Sequence, residues 1–557
     1  MELAHYYTNE ELEKLLKSWQ DTYPALVRLE TLGASYEKRP IWIITLTNQN
    51  KGSDLDKPAL WIDGNIHATE ISGSTAALAV ANELLSKYGT DDRITRLMDT
   101  TSFYIVPRLN PDGAEQAMAP IPAFIRSGVR PYPLEEREEG LHQQDIDKDG
   151  RILQMRIPDP NGDWKVSTID PRLMEKRGMD EEGGQYYRLL PEGMIESFDG
   201  FQIRLARPYQ GLDFNRNFPF DWRPEDEQSG AGPYPASEPE IRAVLEFIHG
   251  HHNINIAMTF HTFSRVILRP YSNKSDDEIP YQDLQVYKKI GERGMQLTGY
   301  RCVSTFHDFR YHPKEITTGA FDDWIYDHLG IYAFTIELWD LPTEAGIKDR
   351  KVIEWWKDHP HQEDVQILKW ADEHVGESAY INWYPYRHPQ LGDIELGGWN
   401  AMYTWRNPPP QFLANEVNRH IPFMLSVAEM MPKISIHKLD VIPLPDGIYH
   451  LVLSVENTGF LPTYTSEKGK QRQATFPVKA ELELPAGAVL LTGKEKVDLG
   501  FLEGRSNKLD SGAIFAASPT DNRAKTEWMI KAAPGTVIRI VIKSERAGTI
   551  RKEISLI

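Results

Sequence analysis

The sequence predicts an α/β domain built on a mostly parallel or mixed sheet, followed by a small antiparallel β-sandwich. Strand-like and helix-like segments alternate over residues 1–110 and again over 237–338, as they do in α/β folds. From residue 434 onward, short β-rich runs are separated by Gly, Pro and Asn, which is typical of a sandwich. We therefore expect a large α/β domain over 1–432 and a β-sandwich accessory domain over 434–557.

The elements of the large domain follow from capping and hydropathy. Thr8 and Glu11 form a capping-box pattern before the first helix, and apolar runs indicate the strands. In chain order we predict a strand over 58–63, a helix over 72–88, a strand over 102–107, a helix from 237, a strand over 254–260, a helix over 281–297, a strand over 331–338 and an amphipathic helix over 415–431. Residues 114–210 and 341–405 interrupt this alternation with Pro, Gly and charged residues, so we interpret both as insertions.

Composition and charge exclude several classes of protein. Hydrophobic residues make up 40% of the chain, and no stretch approaches the ~18 consecutive apolar residues that span a bilayer. The single cysteine, Cys302, excludes an internal disulfide framework and a multi-thiolate metal site. The net charge is −19, and residues 434–557 hold 17 basic and 14 acidic side chains, so the excess of acids lies in the large domain. Such a surface repels phosphate, so we expect no nucleic-acid partner.

Three segments place acids or histidines where predicted strands end, which is where ligands gather in open α/β sheets. His67 and Glu70 follow one strand, His261 ends another, and Glu337 ends a third. Each segment alone also has a plain structural explanation: a loop His beside a helix N-terminal acid, a core His, or an exposed acid at a strand end. An acid that ends an apolar run, as Glu337 does, is costly to bury unless it is paired or functional.

Seven motifs that occur in one order are more specific evidence of function than any of these segments alone. They are SYEKRPIW, GNIHATE, RLNPDG, GLDFNRNFP, FHTFS, TTGAFDDW and FTIEL, and they extend over roughly residues 5–340. With the helix near 415–431, this pattern resembles the zinc metallocarboxypeptidase family typified by the pancreatic carboxypeptidases. The resemblance implies a mixed, twisted eight-stranded sheet flanked by helices, and a peptide hydrolase.

The resemblance also implies roles for particular residues. His67, Glu70 and His261 match the ligands of one zinc ion, and such a set leaves a fourth position open, as a catalytic site requires. Glu337 matches the general base. Asp213 matches the acid that orients the first ligand His.

The resemblance to this family also implies a substrate site. Asn215 and Arg216 match the pair that holds the terminal carboxylate of the substrate, for which the planar fork of Arg is suited. Arg126 matches the residue that stabilises the oxyanion, with Arg130 as the alternative. We therefore expect a peptide substrate with a free C-terminal carboxylate.

Two positions near residue 320 bear on specificity. Glu315 occupies the place of the family's substrate-capping Tyr, and Tyr311 lies nearby in sequence without being aligned. Asp322 falls where the floor of the specificity pocket is expected, and an acid there favours basic or polar C-terminal residues. Asp322 has an alternative role as the partner of a protein Arg such as Arg310.

A separate acidic motif predicts a structural calcium site. Asp145, Asp147 and Asp149 alternate before a Gly, as in the first half of a calcium loop. The twelfth position is Arg rather than Glu, so Asp159 or Asp163 would have to complete the site. An acidic turn exposed to water explains the motif equally well.

The sequence therefore predicts a zinc-dependent enzyme that removes the C-terminal residue of a peptide. One alternative is an amidase that cleaves non-standard bonds such as γ-glutamyl links in cell-wall peptides, and another is a catalytically dead binding protein on the same fold. The start of the chain has acids and no apolar run, so no signal peptide is visible. We expect a cytoplasmic protein as the chain stands, or a secreted or periplasmic one if a signal has been removed.

Overall fold

The computed structural model describes residues 1–312, 314–508 and 517–557. Its helices, α1 to α14 in chain order, are Asn9–Thr22, Ser72–Lys87, Asp92–Thr100, Pro111–Ala117, Pro239–Gly250, Tyr281–Thr298, Thr305–Asp308, Phe321–Leu329, Leu341–Glu344, Val352–Lys357, His361–His374, Pro410–Asn418, Ile421–Glu429 and Glu467–Gln471. Its strands β1 to β12 are Val27–Ala34, Pro40–Leu46, Ala59–Gly64, Ser102–Val106, Gly140–Gln143, Gln154–Pro158, Trp164–Val166, Met174–Lys176, Tyr187–Pro191, Gly193–Glu196, Ile254–Thr262 and Val266–Arg269. Strands β13 to β24 are Arg301–Ser304, Tyr332–Leu338, Tyr380–His388, Gly392–Trp399, Ile434–Leu444, Ile448–Asn457, Val478–Glu483, Val489–Thr492, Lys496–Gly500, Arg523–Lys531, Val537–Ser544 and Gly548–Ser555.

The large domain is organised around a mixed eight-stranded sheet, which confirms the predicted fold class. The strand order is β1-β2-β4-β3-β11-β14-β12-β13. The four neighbours β4, β3, β11 and β14 run parallel, whereas β1 and β2 pair antiparallel at one side and β12 runs antiparallel to β14. Every residue of the four parallel strands is buried, since helices such as α2 and α8 pack on them.

Register brings the ends of three strands together. In the parallel pair β11–β14, His261 lies opposite Glu337, and in the pair β3–β11, Gly64 lies opposite Phe260. The loop that follows β3 therefore leaves the sheet beside the last residues of β11 and β14. This edge is where the motif residues meet.

The predicted helix over 415–431 is wrong in one respect, because the structure divides it into α12 and α13. Pro422 occupies the first turn of α13, where its missing N–H costs nothing. In the interior of one continuous helix the same proline would remove a hydrogen bond and clash with the preceding turn. The chain therefore ends one helix and starts another at this point.

Strands from the segments 114–210 and 341–405 form one sheet. Its order is β15-β16-β6-β9-β7-β8, and Leu396 on β16 pairs with Met155 on β6. A cluster that includes Trp339, Trp355 and Ile367 packs the second segment against the end of the main sheet. The two segments are 131 residues apart in sequence, between residues 210 and 341, yet they build one unit beside the edge where β11 and β14 end.

The C-terminal part consists of two small antiparallel sheets, in agreement with the predicted β-sandwich. Their orders are β17-β18-β22-β20 and β21-β19-β23-β24. A separate core between them includes Leu451, Trp528 and Ile540. Across the helices that the structure describes, none combines the length and the apolar character needed to cross a bilayer.

Candidate active site

Three side chains converge at the edge of the sheet with the geometry of a metal site. His67 Nδ1 lies 3.0 Å from Glu70 Oε1, and His261 Nδ1 lies 3.1 Å from Glu70 Oε2. The two Nδ1 atoms are 3.1 Å apart. Ligands at the ~2.1 Å bond lengths of tetrahedral zinc are separated by ~3.4 Å. The three residues form a compact triangle in which one ligand atom from each lies within 4.8 Å of the others, so they can hold one ion after small side-chain adjustments. Burial alone would raise the pKa of Glu70, but the two imidazoles hold it well below its usual range.

The backbone after β3 explains why His67 and Glu70 face the same point. Asn65 adopts a left-handed conformation at φ 60°, and its side-chain amide donates to the His67 carbonyl at 2.7 Å. A Cβ on Gly64 would lie 2.4 Å from the carbonyl oxygen of Gly73 in α2. Only glycine allows this approach, which brings the start of α2 against the end of the strand.

Asp213 links His67 to the cationic side chains around the cluster. Its Oδ1 lies 3.2 Å from His67 Nε2, and its Oδ2 accepts from Arg126 Nε at 2.9 Å. Arg216 lies 3.9 Å from the same carboxylate. Burial opposes ionisation, but Arg126 and Arg216 hold the pKa of Asp213 well below its usual range. A carboxylate at Nε2 keeps the proton on that nitrogen and leaves the Nδ1 lone pair for a metal.

Glu337 lies beside this triangle in the wall of a cavity of about 240 Å³. Glu70, Arg126, Tyr311 and Arg406 line the same cavity. Only 9% of Glu337 is exposed, and burial raises its pKa to about 7, although His261 acts in the opposite direction. A carboxylate with such a pKa can both accept and release a proton near neutral pH.

Of the two candidate arginines for the oxyanion, the structure brings Arg126 to this cavity. Arg126 donates to both Asp213 and Glu70. Arg130 instead forms a two-point ion pair with Glu238, with distances of 2.6 and 3.1 Å. The catalytic role of Arg126 stays a prediction.

Asn215 and Arg216 lie on the far side of Asp213. The Asn215 side chain accepts a hydrogen bond from Phe321 N at 2.8 Å, which ties it to the start of α8. The Arg216 guanidinium donates to the Asn215 carbonyl at 2.7 Å. Neither residue forms part of the wall of the 240 Å³ cavity, and their role in holding the terminal carboxylate stays a prediction.

The family assignment rests on sequence comparison together with this geometry. The sequence profile of the zinc carboxypeptidases matches residues 12–358, more than half of the chain. The chain belongs to the zinc carboxypeptidase family. A second profile, of a domain of unknown function, matches residues 433–555.

Several individual carboxypeptidases are similar to this chain. Carboxypeptidase A2 of Mus musculus is 24% identical over 378 residues, which cover 64% of this chain and 71% of that protein. Carboxypeptidase B of Astacus astacus is 26% identical over 348 residues, which cover 61% of this chain and 88% of that protein. A crystal structure of thrombin activatable fibrinolysis inhibitor is 21% identical, covers 68% of this chain and 76% of that one, and gives a TM-score of 0.39.

In this member of the zinc carboxypeptidase family, Tyr311 rather than Glu315 lies at the edge where β11 and β14 end. Tyr311 lines the cavity with Glu337, and Glu315 is not among the residues of that wall. Burial raises the pKa of the Tyr311 hydroxyl, whereas the nearby Arg126 lowers it. The loop that carries Tyr311 thus brings a phenol to the site although its position in the sequence is not that of the family's Tyr.

Asp322 lies beneath the site and is buried. Its carboxylate accepts from Asp323 N at 3.0 Å and lies 3.4 Å from the Thr335 hydroxyl. Burial raises its pKa. It is absent from the wall of the 240 Å³ cavity, and its role in selecting the C-terminal residue stays a prediction.

The acidic motif forms a compact loop in which Asp145, Asp147 and Asp149 bring carboxylate oxygens within 4.8 Å of one another. Sequence reasoning missed a fourth acid, the fully buried Glu192, which accepts from Ile146 N and from Leu153 N at 2.7 Å each. Burial raises the pKa of Glu192 to about 7, with further contributions from the neighbouring aspartates. No local pattern could have revealed Glu192, because it arrives from β9–β10, more than 40 residues later.

Sequence reasoning also missed Arg406. It follows the second predicted insertion directly and lies beyond the last family motif, so no pattern marks it. The structure nevertheless places Arg406 in the wall of the cavity that holds Glu337.

Proposed function

We propose that this protein is a zinc-dependent carboxypeptidase that hydrolyses the C-terminal peptide bond of peptides with a free terminal carboxylate. The observation that carries the proposal is the triangle of His67, Glu70 and His261 ligand atoms with Glu337 on the adjacent strand. Two imidazoles and one carboxylate form a donor set that suits zinc and leaves a position open for chemistry.

His67, Glu70 and His261 would hold the metal. Zinc in such a set supplies a Lewis acid and lowers the pKa of a coordinated water toward ~7. Glu337 then serves as the proton carrier: its carboxylate takes a proton from the attacking water and later gives it to the leaving amine. Its pKa of about 7 suits both steps near neutral pH.

The arginines position the substrate and balance the charge that develops on it. Arg126 lies against Glu70 and Asp213, where its guanidinium is available for an oxygen that becomes negative at the scissile carbonyl. Arg216 and Asn215 would bind the terminal carboxylate, the former through two parallel hydrogen bonds. Asp213 supports both arginines and the first ligand His.

The decisive experiment compares two peptides that differ only in a free or an amidated C-terminus. We expect the zinc-loaded protein to cleave the free peptide, with about one zinc per chain, and to lose activity to a chelator. Arg216→Gln should reduce kcat/KM for the free peptide, because the terminal carboxylate loses its bidentate partner. Equal cleavage of both peptides by the unmodified protein would refute the exopeptidase assignment.

The alternative of an amidase for γ-glutamyl bonds shares the zinc site and differs in the acyl part of the substrate. Neither the three ligand residues nor Glu337 distinguishes the amidase from the carboxypeptidase. The similar proteins named above, however, are carboxypeptidases A and B. We therefore place peptide hydrolysis first. A structural calcium ion at Asp145, Asp147 and Asp149 belongs to the same proposal and is tested separately.

A further inference from the structure

Arg406 is a cation in the wall of the cavity that holds Glu337, and among the described residues it forms no ion pair, although Glu70 and Glu337 line the same wall. Its guanidinium lies 5.1 Å above the centre of the Phe263 ring. Within residues 1–312, 314–508 and 517–557 this guanidinium forms neither a hydrogen bond nor an ion pair. Arg126, the other arginine of the same wall, is by contrast bonded to Asp213 and Glu70.

The neighbours of Arg406 hold it in place beside Glu70. The next residue, Asn407, is fully buried, accepts from Ser72 N at 3.0 Å and donates to the Thr69 carbonyl at 2.7 Å. Tyr6 donates its hydroxyl proton to the Pro408 carbonyl at 2.6 Å. These bonds fix the two residues that follow Arg406, Asn407 to the start of α2 and Pro408 to Tyr6, so the cation is held in the cavity wall.

An arginine without an ion-pair partner in a cavity wall is able to bind an anion from a ligand. Burial lowers the pKa of Arg406, but a guanidinium keeps its charge in proteins. A partly desolvated charge without a partner is costly, and a carboxylate supplied by the substrate would offset that cost. The planar fork of the side chain suits a carboxylate in particular.

The walls of the cavity indicate which part of the substrate brings this carboxylate. The residues after His261, namely 262–264, line the cavity together with Trp356, whereas Asn215 and Arg216 do not. If Arg216 holds the terminal carboxylate, the C-terminal residue lies outside this cavity. The cavity then receives the residue on the acyl side of the scissile bond.

A second cavity, of about 420 Å³, lies next to the first and has basic walls. The two cavities share Phe309, Val352 and Ile353 in their walls. The second cavity is lined by four basic side chains, Arg301, Arg310, Lys351 and Lys357, against two acidic ones, Asp308 and Glu354. A basic groove on a chain with a net charge of −19 is a local feature that attracts acidic peptide segments.

We propose that Arg406 binds a carboxylate on the penultimate residue of the substrate, so that the enzyme selects peptides with an acidic residue before the C-terminal one. This inference rests on the proposed function and adds a substrate class to it. The carboxylate has two chemical sources, the side chain of an α-linked Glu or Asp and the free α-carboxylate of a γ-linked Glu. Both present the same anion to Arg406.

The test uses N-terminally blocked peptides that share one C-terminal residue and differ only in the penultimate position, as α-linked Glu, γ-linked Glu or Gln. For the wild type we expect kcat/KM to be about tenfold or more higher with Glu than with Gln, since hydrogen bonds to charged groups are strong. In Arg406→Gln this ratio should fall to about one, and in Arg406→Glu a penultimate Lys should become the better substrate. Arg387→Gln, which removes an exposed arginine that lines neither cavity, is the matched control.

Calorimetry gives a second readout that needs no turnover. The α-Glu peptide should bind Glu337→Gln about tenfold more tightly than the Gln peptide does, and Arg406→Gln in the same background should remove the difference. An unchanged Glu-to-Gln ratio in Arg406→Gln would overturn the proposal. So would a loss of discrimination between free and amidated termini at an unchanged Glu-to-Gln ratio, because Arg406 would then hold the terminal carboxylate.

Failure of the proposed function has a different signature. If the zinc-loaded wild type cleaves no peptide with a free C-terminus, the carboxypeptidase assignment falls while the calorimetric comparison still reports on Arg406. If instead all peptides are cleaved at equal rates and bind equally, the assignment stands and the role of Arg406 is refuted. A preference confined to the γ-linked peptide would identify the α-carboxylate as the recognised anion.

Discussion

Replacing Asp213 by Asn should weaken the binding of zinc without removing any ligand. Asp213 Oδ1 lies 3.2 Å from His67 Nε2, and this buried bond to a charged acceptor sets the orientation and tautomer of the imidazole. Hydrogen bonds to charged groups contribute ~1.5–3 kcal/mol, which corresponds to a roughly 10–150-fold change in an equilibrium constant. The measured effects of such outer-shell partners on metal affinity fall in the same range, ~10–100-fold.

The assay is a competition between the metal-free protein and a chromophoric chelator for zinc, followed at neutral pH. Asp393→Asn, which removes an exposed carboxylate that belongs neither to the ligand cluster nor to the cavity wall, should leave the zinc Kd unchanged. Asp213→Asn also deprives Arg126 and Arg216 of a charge, so thermal unfolding of both metal-free variants must show that the fold is retained. A folded Asp213→Asn protein with the wild-type zinc Kd would refute the role assigned to this carboxylate.

Four further predictions concern catalysis, pH, calcium and specificity. Glu337→Gln should retain zinc and fold but lose ~10²–10⁴-fold in kcat, because the amide cannot carry the proton; near-normal turnover would remove Glu337 from the mechanism. Burial raises the pKa of Glu240 to about 7, so the protonated group stabilises the fold at low pH, and this contribution is lost as the pH rises from the pKa of the unfolded chain through 7. Between pH 4 and pH 8 the free energy of unfolding of Glu240→Gln, measured with denaturant, should therefore rise by roughly 3 kcal/mol relative to that of the wild type. Parallel pH profiles of the two proteins would contradict this. Calcium at fixed zinc should raise the melting temperature of the wild type and not of Asp147→Asn, whereas no shift would favour an exposed acidic turn. Peptides ending in Arg or Lys should be preferred over those ending in Phe or Leu, and a tenfold reverse preference that Asp322→Ala leaves unchanged would show that Asp322 is not the selector.

Those parts of the protein that depend on local chain geometry could be predicted from the sequence. Alternating apolar runs and capped helices were enough to predict the α/β domain and the sandwich, because the spacing of the apolar residues within each segment shows whether it buries a helix face or a strand face. His67 and Glu70 are only three residues apart, and the strand–loop–helix that carries them is a local structure. His261 and Glu337 could be added because each ends a recognisable buried strand.

Tertiary structure alone decided which distant side chains complete the site. Arg126 and Arg130 lie on one loop and have the same chemistry, and only packing shows that Arg126 faces Glu70 while Arg130 pairs with Glu238. Arg406 reaches the cavity that holds Glu337 from a segment 69 residues further along the chain. Glu192 reaches the acidic loop from the turn between β9 and β10, which pair with the strands on either side of that loop. A sequence pattern reports on neighbours along the chain, whereas the partner of a buried charge is set by how remote segments pack. That packing brings Arg406 into the cavity wall with no ion pair among the residues that the structure describes.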